Sequence, residues 1–180
     1  MHTSSLLIFD LDGVIIDSKA IHFDSLNQAL SELDSKYLIS KGAKVKVADE
    51  KEISGYEIHP INETESLNYD LAVVSPGWKP SHPLIQALIA KQIPITNEID
   101  LAWREKPITQ KWVAITGTNG KTSTTELAAS MIPNSIACGN VGKTVIESVT
   151  EGHKILVLEL SSFQIHWLRE AQFESVAILN

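Results

Sequence analysis

Lys111-Trp-Val-Ala-Ile-Thr-Gly-Thr-Asn-Gly-Lys-Thr-Ser-Thr-Thr-Glu126 is the stretch of sequence that decides the fold. Its apolar run, 112–115, has the length and composition of a buried strand, and Gly117 and Gly120 end that run. A helix-forming run follows at 126–131. The stretch therefore predicts a strand, a glycine turn and a helix.

A Gly-Lys-Thr triplet at this turn predicts a phosphate-binding loop. Backbone amides of the turn and of the helix N-terminus face an anion, Lys121 adds a point charge, and the Thr122 hydroxyl can ligate Mg²⁺. The general spacing has a glycine where Ile115 stands, so only the shorter Gly-x-x-Gly-Lys-Thr pattern is present. The alternative is a glycine turn without a ligand. The residues predicted to bind the nucleotide are Gly117, Thr118, Asn119, Gly120, Lys121, Thr122 and Ser123.

Composition excludes several classes of protein. The 180 residues suffice for one large domain or two small ones, and 43% hydrophobic residues can build a core. A net charge of −7 gives no electrostatic reason to expect nucleic-acid binding. The single cysteine, Cys138, excludes an internal disulfide and fits a reducing cytoplasm. No apolar segment approaches the roughly 18 residues that span a membrane, and the N-terminus does not have the pattern of a signal peptide.

Alternating strand and helix patterns predict an α/β protein with parallel sheets. Runs 5–9, 44–48 and 71–74 are typical of strands, with helices between them, so residues 1–107 are expected to form a small Rossmann-like domain. Lys106-Pro107 is the predicted linker. Residues 108–180 are expected to form part of a phosphate-loop central domain.

The second domain is predicted to continue with further short elements. A glycine-flanked loop at 137–142 and a short helix at 143–150 are expected, followed by buried strands at 155–158 and 176–179. Since the pattern stops at Asn180, we expect the apolar faces of these two strands to be partly uncovered. Uncovered apolar faces and strand edges favour self-association.

Four strings stand in order along the chain: Val74-Ser75-Pro76-Gly77, Thr116-Gly117-Thr118-Asn119-Gly120-Lys121-Thr122, Gly139-Asn140-Val141-Gly142 and Glu159-Leu160-Ser161-Ser162-Phe163-Gln164. At these distances they resemble the Mur ligase family over residues 35–180. The Glu-Leu-Ser-Ser-Phe-Gln string is most like the member that adds D-glutamate to UDP-N-acetylmuramoyl-L-alanine. The resemblance implies an ATP-dependent, amide-forming ligase of peptidoglycan precursor synthesis. ATP would phosphorylate a carboxylate, and the amine of D-glutamate would attack the acyl phosphate.

The resemblance also implies roles for single residues. Lys121 and Glu159 would be catalytic, with Lys121 on the ATP phosphates and Thr122 and Glu159 on Mg²⁺. The implied substrate contacts are Asn140, Ser161 and Gln164 for the muramoyl-alanine part and Ser75 and Gly77 for the uridine nucleotide. Considered alone, Glu159 could equally be a solvated carboxylate at a strand end.

The sequence departs from the family pattern at both ends. Family members continue beyond the position of Asn180 with a metal-binding histidine, a modified lysine and a C-terminal domain. We therefore expect the chain to be incomplete and inactive, with weak nucleotide binding retained. At the other end, Asp10-Leu-Asp12-Gly13 stands where the family has a glycine-rich turn.

That opening segment, residues 5–33, resembles the first motif of haloacid dehalogenase-like phosphatases. By analogy, Asp10 would be the nucleophile and Asp12 the general acid/base, with Mg²⁺ bridging Asp10 and the phosphate. The later acidic pair of that family has no counterpart, because the candidate string has only Glu159. A polar turn that closes the first strand is the alternative. Three hypotheses thus remain: a ligase, a phosphatase and an inert nucleotide-binding fragment.

Overall fold

The computed structural model describes two strands near the N-terminus by their backbone, and residues 69–180 with their side chains. The chain divides into two compact units, Met1–Asn97 and Glu98–Asn180. The predicted helix after Ser18, and Asp10 and Asp12, lie outside the described residues. Within the described part of the chain, no helix is both long enough and apolar enough to cross a membrane.

The first unit contains a parallel four-stranded sheet in the order β2-β1-β3-β4. This arrangement confirms the predicted parallel α/β fold, since the strands at 44–48 and 71–74 both pair in parallel with the first strand. The described elements are β1 (Ser5–Phe9), β2 (Lys44–Ala48), β3 (Leu71–Val74), α1 (Pro83–Ala90) and β4 (Ile95–Thr96).

The start of helix α1 is explained by the residues found there. His82 is the N-cap, and its Nδ1 accepts a hydrogen bond of 3.2 Å from the Leu84 amide. Pro83 occupies the first turn, where an amide donor is not needed. The buried face of the helix consists of Leu84, Ile85 and Leu88, so an apolar stripe fixes its orientation.

The second unit is also built on a parallel four-stranded sheet, in the order β6-β7-β5-β8. Helix α3 packs on β5, β6 and β7, and α2 packs against α4. The elements are α2 (Glu98–Glu105), β5 (Lys111–Gly117), α3 (Lys121–Met131), β6 (Ser135–Gly139), α4 (Val145–Val149), β7 (Ile155–Glu159), α5 (Ser162–Trp167) and β8 (Ser175–Leu179).

The boundary between the units lies before α2, at Asn97/Glu98, rather than at the linker predicted at Lys106-Pro107. Helix α2 belongs to the second unit because it packs against α4. Its Asp100 carboxylate also accepts hydrogen bonds from backbone amides near residue 170. These contacts join segments that are far apart in sequence. A local Lys-Pro pair therefore gives no indication of them.

Two elements of the second unit differ from the predicted ones. The stretch expected to be a glycine-flanked loop at 137–142 begins as strand β6, which has few buried apolar residues and therefore a weak sequence pattern. Helix α5 was not predicted. Its start carries a Ser161-x-x-Gln164 capping box, a recognisable sequence signal.

The expectation of uncovered strands is wrong for one strand and right for the other. Strand β7 lies between β6 and β5, and its residues 156–159 are buried. Strand β8 is at the edge of the sheet, and its Val176 and Ile178 side chains are 58% and 80% exposed.

Candidate functional site

The polar residues that the motifs supply meet at the carboxyl edge of the second sheet. Strand β5 ends at Gly117, β6 at Gly139 and β7 at Glu159, and their register aligns Ile115 and Gly139 with Glu159. In open parallel sheets, this edge is where ligands bind. The parallel topology therefore brings the phosphate loop, Asn140 and Glu159 to one place.

The loop at 117–120 makes a tight turn that only glycine fits at its first position. Gly117 has φ +142°, and a Cβ at this position would lie 2.3 Å from the carbonyl oxygen of Leu179. The Asn119 amide donates a hydrogen bond of 3.2 Å to the carbonyl oxygen of Asn180. The end of β8 therefore shapes the loop.

Helix α3 begins immediately after Gly120, which is its N-cap and has φ +76°. Because glycine has no side chain, it cannot cap the first amides of the helix. The first amides of a helix have no acceptor within the helix, so those at 121–123 can face an anion. The ammonium of Lys121 lies over the loop, 2.9 Å from the Gly117 carbonyl oxygen and 3.3 Å from that of Thr118. The positive end of the helix dipole and the Lys121 ammonium therefore lie at the same loop.

Glu159 is the centre of the polar cluster. Its carboxylate is 2% exposed and accepts two side-chain hydrogen bonds, from Thr122 Oγ1 to Oε2 at 2.8 Å and from Asn140 Nδ2 to Oε1 at 3.1 Å. Its carbonyl oxygen also accepts the Asn140 amide at 2.9 Å. These hydrogen bonds fix the orientation of the carboxylate and offset the free-energy cost of burying it.

The donor set fits Mg²⁺. A threonine hydroxyl and a carboxylate, both hard oxygen donors, lie within hydrogen-bond distance beside the loop. Mg²⁺ in nucleotide sites commonly takes one or two protein oxygens and completes its shell with phosphate oxygens and water. Among the described residues no group of three or more His, Cys, Asp or Glu side chains could hold a metal.

Asn140 has a contact that the sequence analysis missed. It was predicted to face a substrate, and its side-chain amide binds Glu159. Gly139 makes this approach possible, since a Cβ there would lie 2.6 Å from the Glu159 carbonyl oxygen. The sequence carries little signal for this contact, because strand β6, which ends at Gly139, has a weak pattern.

Ser161 and Gln164, also predicted to contact substrate, hydrogen-bond to each other. Ser161 Oγ accepts the Gln164 amide at 3.2 Å, and Gln164 Oε1 accepts the Ser161 amide at 2.8 Å. This pair caps α5 at the carboxyl end of β7.

Ser75 and Gly77 lie in the first unit, in the turn after β3, where the Ser75 carbonyl oxygen accepts a hydrogen bond of 3.3 Å from the Trp78 amide.

Geometry and fold give the second unit the strand, glycine loop and helix arrangement that is typical of nucleotide-binding α/β proteins. No family model matches the sequence. The chain is 30% identical over 181 residues to UDP-N-acetylmuramoylalanine–D-glutamate ligase of Nocardia farcinica, covering 93% of this chain and 38% of that protein. It is 40% identical over 119 residues to the ligase of the same name from Thermobifida fusca, covering 62% of this chain and 26% of that protein.

A solved structure has the same fold. It is UDP-N-acetylmuramate:L-alanyl-gamma-D-glutamyl-meso-diaminopimelate ligase from Neisseria meningitides, with a TM-score of 0.51 and 14% identity, covering 98% of this chain and 61% of that one. These comparisons support the assignment of the chain to the Mur ligase family. It spans less than two fifths of the length of the two curated relatives.

The match to the Nocardia protein covers more of the chain than the motifs do. The resemblance that the motifs carry covers residues 35–180, whereas this match covers 93% of the chain. Part of the segment that resembles a phosphatase is therefore matched by a ligase as well. Asp10 and Asp12 lie outside the described residues, and their phosphatase role stays a hypothesis.

Proposed function

We propose that this chain supplies the ATP- and Mg²⁺-binding part of a cytoplasmic ligase that joins D-glutamate to UDP-N-acetylmuramoyl-L-alanine. The observation that carries the proposal is the cluster of Thr122 and Glu159 beside Lys121. The reaction is that of the curated relatives, by their names, and the single Cys138 suits a reducing compartment.

Each residue of the cluster has a distinct task in this proposal. Lys121 exchanges its contacts with the loop carbonyls for the phosphates of ATP, which lowers the cost of negative charge building up during phosphoryl transfer. Thr122 and Glu159 hold Mg²⁺, which would neutralise phosphate oxygens when bound. Asn140 keeps the Glu159 carboxylate turned toward Thr122.

The proposed ligation has two steps. A carboxylate oxygen of the muramoyl-alanine substrate attacks the γ-phosphorus, and the bond to ADP breaks. The amine of D-glutamate then attacks the acyl carbon, inorganic phosphate leaves, and the amine loses a proton. The proposed substrate contacts are Ser75, Gly77, Asn140, Ser161 and Gln164. Ser161 and Gln164 can also act indirectly, by ordering α5 through their mutual cap.

Phosphate release separates the three hypotheses. The protein is assayed with ATP and, separately, with a generic phosphate ester, each with and without UDP-N-acetylmuramoyl-L-alanine and D-glutamate. A ligase releases phosphate from ATP only when both substrates are present. A phosphatase releases it from the ester and loses this activity on Asp10→Asn. An inert nucleotide-binding fragment binds ATP and releases phosphate in neither assay.

A further inference from the structure

Helix α2 carries two buried carboxylates that the phosphate-site motifs do not include. The Glu98 side chain accepts the Ile146 amide at 2.6 Å and also faces the Val145 amide. Asp100 accepts three amides at 2.8–3.0 Å, those of Arg169, Glu170 and Ala171. Burial of a carboxylate is costly unless donors compensate it, so each side chain anchors a particular backbone segment.

The segment that Glu98 anchors leads to Glu159. Ile146 is in the first turn of α4, a helix of only five residues, and helices this short are unstable without tertiary contacts. The segment 139–144 precedes it. This segment is fixed by the bond from the Gly139 amide to the Lys143 carbonyl oxygen, 2.9 Å, and by that from the Asn140 amide to the Glu159 carbonyl oxygen, 2.9 Å.

We propose that Glu98 is a positioning residue for the Glu159 cluster. By anchoring α4 it holds the segment 139–144 in place. That segment carries Asn140, whose side-chain amide donates a hydrogen bond to Glu159 Oε1. The part of the inference that concerns Mg²⁺ rests on the proposed function. Asp100 is the natural comparison, because it lies on the same helix and anchors the segment 169–171, which supplies no hydrogen bond to Glu159 among the described residues.

Backbone hydrogen exchange tests the anchoring without any ligand. The expected result for Glu98→Ala is faster exchange of the Gly139 and Asn140 amides, by about tenfold or more, relative to the change averaged over β5 and β7. Glu98→Gln should remain near wild type, since its amide oxygen can accept the same bond. Asp100→Ala should speed exchange at 169–171 and leave 139–140 at the average.

An equal change throughout the unit, or no change at 139–140, would overturn the proposal. If Glu98→Ala does not fold, Glu98→Asp serves, because it keeps the carboxyl group and shortens the side chain by one methylene. It should give a smaller change at the same two amides, and an unaltered exchange rate there would count against the anchoring role.

A double-mutant cycle tests the connection to Asn140. The measured quantity is the increase in ATP affinity on adding Mg²⁺, for wild type, Glu98→Ala, Asn140→Ala and the double variant. Residues that orient a metal ligand typically change metal affinity by about ten- to a hundredfold. We expect the double variant to match Asn140→Ala, because Glu98 acts through Asn140.

Independent, additive losses would contradict this connection. If wild type shows no Mg²⁺-dependent ATP binding, the proposed function fails, while the exchange measurement still decides whether Glu98 anchors the segment. The two failures are thus distinguishable.

Discussion

The hydroxyl of Thr122 donates a 2.8 Å hydrogen bond to Oε2 of Glu159, although 37 positions of sequence separate the two residues. Parallel pairing of β5 with β7 explains the contact. Ile115 is level with Glu159 in that register, and the loop after β5 brings the start of α3 back to the same edge. The two oxygen donors that the family resemblance assigns to Mg²⁺ are therefore adjacent.

Removing the Thr122 hydroxyl should weaken Mg²⁺ binding specifically. Thr122→Ala takes away one oxygen donor and leaves Glu159 with Asn140 as its remaining side-chain partner among the described residues. We expect the Mg²⁺-dependent gain in ATP affinity to fall by about tenfold, with ATP affinity in EDTA unchanged. Titration calorimetry in both buffers measures this.

Thr124→Ala is the matched control for that variant. Thr124 lies two positions further along α3, at a half-buried position. Its substitution should leave the Mg²⁺ dependence as in wild type. Equal losses in the two variants would mean that any change in this helix turn weakens binding, and the assignment of Thr122 to the metal would be wrong.

Substituting Gly117 should destabilise the second unit strongly. Alanine would need φ +142° and would bring its Cβ within 2.3 Å of the Leu179 carbonyl oxygen. We expect Gly117→Ala to lower the free energy of unfolding by at least about 2 kcal/mol, measured by urea denaturation.

Gly152→Ala separates backbone strain from steric overlap. Gly152 has φ +81°, and a Cβ added there would meet no atom within 4 Å, so only the strain of a positive φ, about 1 kcal/mol, applies. Similar losses at Gly117 and Gly152 would contradict the claim that the end of β8 closes on the phosphate loop.

Much of this fold was predictable from local patterns, because short apolar runs and Gly-Lys-Thr are local features. The glycine turn at 117–120 and the strands predicted at 71–74, 112–115 and 155–158 follow from them. The contacts of Asn140 and of Glu98 were not predictable in this way. They depend on which strands are neighbours in the sheet and on which unit α2 joins, and no local spacing encodes either.

Stability should fall as the pH rises through the neutral range because of Glu98. Burial raises the pKa of this carboxyl, and Glu147 raises it as well, while the Ile146 and Val145 amides lower it; together these causes move the pKa from 4.5 to about 7. The folded state then holds a proton that the unfolded state has released. The stabilisation is complete below pH 4.5 and is lost as the pH rises through about 7.

Glu98→Gln isolates this effect. The variant cannot titrate at this position, and every other titratable residue is the same in the two proteins. The free energy of unfolding of wild type should fall relative to the variant by on the order of 3 kcal/mol between pH 4.5 and 7.5. A constant difference across these pH values would show that Glu98 is already ionised in the folded protein at acid pH.

Strand β8 should promote self-association of this chain. It is an edge strand, and its Val176 and Ile178 side chains are largely exposed on one face. Ile178→Thr keeps a β-branched residue and removes apolar surface, so it should reduce association measured by light scattering. Ile108→Thr is the control, because Ile108 is 97% exposed but lies in a turn. A monodisperse wild-type monomer at micromolar concentration would contradict the prediction.

The central claim is that the loop at 117–122 is the nucleotide site. Calorimetric titration of ATP with Mg²⁺ into wild type and Lys121→Ala tests it most directly. Lys111→Ala is the matched control, since Lys111 is an exposed lysine at the opposite end of β5, and Asp10→Asn tests the phosphatase-like segment. We predict that Lys121→Ala abolishes binding, while Lys111→Ala and Asp10→Asn bind as wild type does. Equal binding by wild type and Lys121→Ala would contradict the account.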